Sequence, residues 1–255
     1  KGKKRVYKVM FGNGQVVECC EDHLWTVTTN SGSKKTLTLK EIMEKGILIE
    51  KPCGAYQYRF FTPRTEVDFE NKGPFVIDPY LLGLLIGDGS LCETGSIELS
   101  LGYKKIGVLE NMILPPNVKF SVKEDEAKHY FRVKFSKINP TEKGMHDYIK
   151  DLGLLNSKSS TKFIPKEYLY SSKENRIKLL SGLTNTDGYI NSSGLLEYST
   201  VSEQLCLDVV ELLRSLGKSC NYRLHTREKD SSYSKIPIYR ISELKGCYYG
   251  EKIVG

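Results

Sequence analysis

The sequence predicts an α+β protein in which two halves of order α-β-β-α-β-β, at about 78–165 and 166–245, follow a small, mostly β region at 1–77. Three observations lead to that expectation. A segment ending in Asp-Gly occurs twice, at 81–89 and 180–188, a spacing of 99 residues. After each copy, apolar and polar residues alternate with period two, as in a strand with one buried face. The first 77 residues contain neither copy and little helical periodicity.

In chain order, 6–18 (Val6-Tyr-Lys-Val-Met-Phe-Gly-Asn-Gly-Gln-Val-Val-Glu) reads as a hairpin turning at Gly12-Asn13-Gly14. Helical signal before residue 78 is confined to about 39–45. The tract 61–74, with Pro63, Gly73 and Pro74 among charged residues, reads as a linker.

The repeat is ungapped. Leu81-Leu-Gly-Leu-Leu-Ile-Gly-Asp88-Gly89 corresponds to Leu180-Ser-Gly-Leu-Thr-Asn-Thr-Asp187-Gly188, and Gly95, Glu98 and Ser100 correspond to Gly194, Glu197 and Ser199. Asp78 is placed to cap the first helix with Pro79 at its first position. Ser171-Ser-Lys-Glu174 reads as a capping box for the second. The glycine after each aspartate suits a left-handed residue closing the helix. Strands follow at 96–100 and 195–199. Next, Thr200 and Glu203 open a helix with Leu205, Val209, Leu212, Leu213 and Leu216 on one face, stopped by Gly217. Paired strands complete each half, 118–123 with 130–135 and 219–225 with 236–241.

Hydrophobic residues at 39% and charged residues at 27% fit an ordinary globular protein. No apolar run approaches the roughly 18 residues that span a bilayer, and the start lacks a signal-like apolar segment. An intracellular protein, cytoplasmic or in the nucleoid or nucleus, with no membrane partner is expected. Seven cysteines, with no C-x-x-C pair, suggest buried thiols in a reduced compartment rather than a disulfide framework or zinc ribbon. The net charge is +7, and seven basic residues lie between 214 and 240 against Glu228 and Asp230. That segment is either a solvated strand pair or a surface for a phosphate backbone. Charge alone does not choose.

Gly83 and Gly87, like Gly182 and Thr186, lie four apart, so each helix carries a strip of small residues that permits close helix packing. Packed side by side, the helices would bring Asp88 and Asp187 together at their C-terminal, electronegative ends. Two carboxylates there repel. A divalent cation relieves the repulsion, because carboxylates and free terminal carbonyls are the oxygen ligands Mg²⁺ takes. Mg²⁺ or Mn²⁺ is therefore expected. The alternative is a pair of ordinary capped core helices.

At these residues the sequence resembles the LAGLIDADG (dodecapeptide) homing endonucleases, in the versions nested in inteins, over roughly 78–245. The resemblance implies a pseudo-two-fold fold and binding of double-stranded DNA at a long recognition site by a monomer. It also implies Mg-dependent hydrolysis leaving short 3′ overhangs, with Asp88 and Asp187 holding metal. The first motif has Ile86 and the second Asn185 where an acid is common. Thr161-Lys162-Phe-Ile164-Pro165 resembles the K-x-I-P block before the second motif, which makes Lys162 the third catalytic candidate; a surface lysine is the alternative. Lys245 and Lys235 are candidates for its symmetry partner. DNA contacts are expected from Lys119, Lys123, Arg132 and Lys134 in one half and from Arg223, Arg227, Lys229 and Arg240 in the other.

Residues 1–77 resemble part of the intein splicing (Hint) domain, with 246–255 returning to it. His23, in Cys20-Glu-Asp-His23, matches a splicing-block histidine, although Cys20 stands where threonine is usual; it is otherwise a structural histidine. Lys1 and Gly255 are not splicing-junction residues, so the chain is not expected to splice alone. Two other readings stay open: an inactive DNA- or RNA-binding relic or maturase of the same fold, and a parent protein whose main activity is splicing.

Overall fold

The computed structural model describes residues 2–226, 237–245 and 251–252. Its contacts divide the chain into two compact units, one of residues 1–66, 217–221 and 243–255, the other of 67–216 and 222–242. The second unit begins at Val67 rather than at the expected 78. Val67 N donates to Ser215 O at 3.0 Å, and its carbonyl accepts from the buried guanidinium of Arg176, so this stretch is packed within the unit.

In the first unit, β1 (Val6–Met10) and β2 (Val16–Cys20) form the expected hairpin, with Gly14 at φ 80° in its turn. β3 (Leu24–Thr29) and β4 (Lys34–Thr38) form a second antiparallel pair. A helix, α1 (Leu39–Lys45), follows; Thr38 and Glu41 close its capping box. β5 (Leu48–Glu50) pairs with β6 (Tyr56–Tyr58), and β7 (Phe60–Thr62) joins β3. The expected linker thus starts as a strand. Glu251–Lys252 returns to pair with Thr62 and Phe61. Val9, Phe11, Val27, Leu37, Ile42 and Phe60 make the core.

In the second unit, α2 (Pro79–Asp88) runs into β8 (Gly89–Ser90) and β9 (Glu98–Gly102). β10 (Val118–Asp125) and β11 (Tyr130–Lys137) complete a sheet of order β10-β11-β9-β8. After α3 (Met145–Asp151) and the short α4 (Lys166–Leu169), the second motif helix α5 (Lys173–Asp187) leads to β12 (Gly188–Ile190) and β13 (Leu196–Thr200). A helix, α6 (Glu203–Ser215), precedes β14 (Cys220–His225) and β15 (Ile238–Glu243), giving a sheet of order β12-β13-β15-β14. Counted from its motif helix, each sheet has its third and fourth strands exchanged, so the two share one strand order.

Several local expectations are corrected. Between the second and third strands the first half has a 3-10 segment, Tyr103–Asn111, without a buried residue and with Gly107 inside it, whereas α6 buries a leucine- and valine-rich face. The caps of α5 and α6 are Ser172 and Ser202, which accept from Asn175 N and Leu205 N, rather than Ser171 and Thr200. Ser171 and Thr200 instead bond Tyr168 O and Ser202 N. Gly89 and Gly188 are extended, at φ −77° and −95°, because the chain passes straight into a strand. Glycine is needed there for space: a Cβ would lie 2.9 Å from Leu85 Cα at Gly89 and 2.5 Å from Thr184 Cα at Gly188. Of the described cysteines, Cys19, Cys206 and Cys220 are buried while Cys53 and Cys92 are exposed, so burial holds for only some of them.

Candidate metal and phosphate centre

The two motif helices pack along their small residues. A Cβ on Gly83 would lie 2.9 Å from Gly182 Cα, and one on Gly182 would lie 2.9 Å from Gly83 Cα, so the backbones touch where side chains normally stand. At the next turn Gly87 faces Thr186, and Asn185 Nδ2 donates to Tyr80 Oη across the pair at 2.9 Å. Asn185, where an acid is common in the motif, therefore serves the helix pair. Leu81, Leu82, Leu84, Leu85 and Ile86 are fully buried, so α2 is apolar all round.

This packing brings Asp88 and Asp187 to one cavity of about 280 Å³, which Lys162 also lines together with Ser159, Ser199 and Thr200. Burial pushes the Asp187 carboxyl up to about 6, the charge of Asp88 adds to the rise, and Lys162 and Lys105 oppose it. Asp187 is an exposed residue, and its rise comes from the protein atoms packed around its carboxyl and from the charge of Asp88. Burial also raises Asp88, against the attraction of Lys105 and Lys162.

Lys162 is not a surface lysine: it is 4% exposed. Its ammonium donates to Gly87 O and Gly89 O, both at 2.8 Å, and to Leu85 O at 3.3 Å. Burial lowers it to about 8, while the two aspartates pull the other way and the three carbonyls accept its N–H groups. Its loop is held by Ser202, whose hydroxyl donates to Lys162 O at 2.7 Å, and by Asp208, which accepts from Ile164 N at 2.8 Å. A matching lysine was missed in the sequence. Lys105 donates to Thr186 O at the end of α5 and lies 3.9 Å from Asp88 Oδ2. Lys105 and Lys162 share no repeat offset, so nothing in the sequence pairs them. The earlier candidates differ: Lys235 lies outside the described residues, and Lys245 is an exposed residue beyond the last strand of its sheet.

The terminal carbonyls expected to be free for a cation are thus engaged by lysines, which corrects that part of the expected ligand set. Among the described residues no group of three or more His, Cys, Asp or Glu side chains could hold a metal ion. Two carboxylates still suit Mg²⁺, which keeps most of its waters and needs few protein ligands. The raised carboxyls fit a cation as well, since a bound charge relieves their repulsion.

The basic candidates occupy defined sheet positions. Lys123 pairs with Arg132 and Ser121 with Lys134 across β10 and β11, on the face opposite buried Val133 and Phe135; Lys119, two residues before Ser121, shares it. Arg132 stands opposite Ser100, and Arg240 stands opposite Ser199, the repeat-equivalent serine. Arg132 is also tied to Tyr130 Oη at 2.8 Å and to Glu98 at 3.6 Å. Arg223 is exposed on β14. Arg227 and Lys229 lie outside the described residues. In the first unit, His23 is exposed, edge-on to Trp25 at 5.1 Å between ring centres.

No known family profile matches the chain. It is similar to the replicative DNA helicase DnaB of Mycobacterium intracellulare, 27% identical over 161 residues, covering 62% of this chain and 23% of that protein. It is also similar to the ATP-dependent DNA helicase Hel308 of Thermococcus kodakarensis, 25% identical over 179 residues, covering 66% of this chain and 15% of that protein. The chain spans less than a quarter of the length of either relative.

These relatives correct the resemblance drawn from the motifs. Both are described as DNA helicases and neither as a homing endonuclease or intein. The identification as a LAGLIDADG homing endonuclease in an intein is therefore withdrawn. With it go the endodeoxyribonuclease activity, the maturase alternative and the splicing role of His23. The physical reason is that the repeated Gly and Leu pattern is accounted for by helix packing, which is a property of fold and not of activity. Helicase chemistry does not transfer to the chain directly either. Its one Gly-Lys-Ser, 217–219, lacks the glycine of a phosphate-binding loop at Leu212 and follows a helix instead of opening one. Lys218 is paired with Glu243 at 2.7 Å. Among the described residues no helix is long and apolar enough to cross a membrane.

Proposed function

We propose that this chain is a DNA-binding module carried within a longer, helicase-type polypeptide. In this reading Asp88 and Asp187 hold a hydrated Mg²⁺ or Mn²⁺ ion, and Lys162 sets the end of α2 beside it. The observation that carries the reading is the convergence of two carboxylates, each at the end of a repeated helix, on one cavity that Lys162 also lines. Held there, the cation would supply positive charge toward a phosphate oxygen. The equivalent placement of Arg132 and Arg240 on two sheets of one strand order supports a duplex as the partner. Because one chain carries both sheets, it binds as a monomer. The DnaB and Hel308 likenesses support DNA as the ligand class.

Fluorescence anisotropy of a labelled duplex, titrated at several salt concentrations with Mg²⁺ or with EDTA, tests the proposal. The expected result is salt-dependent binding by single chains that Mg²⁺ strengthens. Asp88→Asn and Asp187→Asn should lose the Mg²⁺ effect and keep the rest. Binding that ignores both salt and Mg²⁺, or none, would overturn it.

A further inference from the structure

Tyr198 is 1% exposed, and its hydroxyl has no hydrogen-bond partner among the described residues. A hydroxyl shut away from water without a partner is costly, so such atoms generally meet a ligand, water or ion. Its place in the sheet is specific. Tyr198 stands opposite Gly188, the residue after Asp187, and the charges of both Asp187 and Asp88 act on its hydroxyl. The repeat supplies a control within the molecule. Leu99, 99 residues earlier, stands opposite Gly89 in the same way and is fully buried. The fold therefore needs only an apolar side chain at this position, and the second half adds a single polar oxygen on the residue that faces the one after Asp187.

We infer that the Tyr198 hydroxyl is a further ligand-binding group of the aspartate centre, contacting a water of the hydrated cation or an oxygen of a phosphate. Toward a cation-bound water it accepts a hydrogen bond, and toward a phosphate oxygen it donates one. The inference rests on the cation-site reading above, and it adds a group that makes the two halves unequal.

The test is Tyr198→Phe, which removes the oxygen and keeps the ring. Mn²⁺ binding is followed by paramagnetic resonance of the free ion, first with MnCl₂ alone and then with added inorganic phosphate. Thermal melting in EDTA is the folding control. The variant is expected to melt no lower than the unsubstituted protein and to bind Mn²⁺ about tenfold more weakly. A loss with MnCl₂ alone assigns the contact to the hydration shell; a loss seen only with phosphate assigns it to the anion. Equal binding by both proteins under both conditions would overturn the role of Tyr198 and leave the cation site standing. Absence of Mn²⁺ binding by the unsubstituted protein would overturn both. A variant that melts clearly lower in EDTA would show that the hydroxyl serves the fold, and would overturn the inference too.

Discussion

The ammonium of Lys162 donates to the Gly87 carbonyl at 2.8 Å, tying a loop residue to the end of a helix 75 residues earlier in the chain. It also donates to Gly89 O at the end of α2, and adds a second partner to Leu85 O, which already accepts from Gly89 N. Lys105 does the corresponding work at Thr186 O on α5.

Replacing Lys162 with Met should therefore destabilise the protein. Gly87 O and Gly89 O lose their ammonium partner, and an unsatisfied buried acceptor costs about 1–3 kcal/mol. Urea denaturation without metal should show a loss in that range. An unchanged midpoint would remove the capping role.

Gly182→Ala should be the more severe change. Its Cβ would stand 2.9 Å from Gly83 Cα and from Leu84 N, backbone atoms that cannot swing aside. A cost of about 3 kcal/mol is expected, at the upper end of ordinary overpacking. Gly102→Ala, with nothing within 4 Å of the added carbon, should stay within about 0.5 kcal/mol. Equal melting temperatures for the two variants would contradict the close helix contact.

The acid-base behaviour of Asp187 gives a signed prediction. Burial and the charge of Asp88 push its carboxyl up to about 6, above the ordinary carboxylate value of 3.8. The folded state then binds more protons than the unfolded chain between about 4 and 6. Its contribution is full below about 4 and is lost as the pH rises through about 6. Asp187→Asn should remove that pH dependence. In metal-free buffer at pH 7 the variant should be the more stable protein, by up to about 1 kcal/mol once solvent screening is allowed for. Melting curves from pH 4 to 8 check both points; a wild-type curve flat across that interval would refute the shift.

Arg132→Ala and Arg240→Ala should act alike on duplex binding, because each arginine faces the corresponding serine of its sheet. If both contact phosphate, each variant weakens all sequences about equally and lowers the salt slope by about one unit. A base contact would instead cost roughly 1–3 kcal/mol and relax the preference at one position. Unchanged affinity, slope and preference in both variants would return these strands to a solvated surface.

The sequence by itself determined the repeat, and with it the pairing of helices 79–88 and 173–187, the meeting of Asp88 with Asp187, and the strand alternation that sets buried against exposed faces. These follow from local rules: small residues spaced by one helical turn mark a packing strip, and period two marks a sheet face. The motif likeness carried no further than that, since its glycines and leucines are accounted for by the packing alone. Only the tertiary structure decided that Lys162 and Lys105 cap opposite helices, that Gly89 and Gly188 are needed for space rather than for a left-handed turn, and that the buried Tyr198 hydroxyl is left without a partner among the described residues. The lysine caps join residues far apart in the chain, the glycine requirement depends on how each helix passes into its strand, and the tyrosine depends on its buried surroundings. A one-dimensional pattern does not register that environment, which sets the acidity of Asp187 and the burial of Lys162.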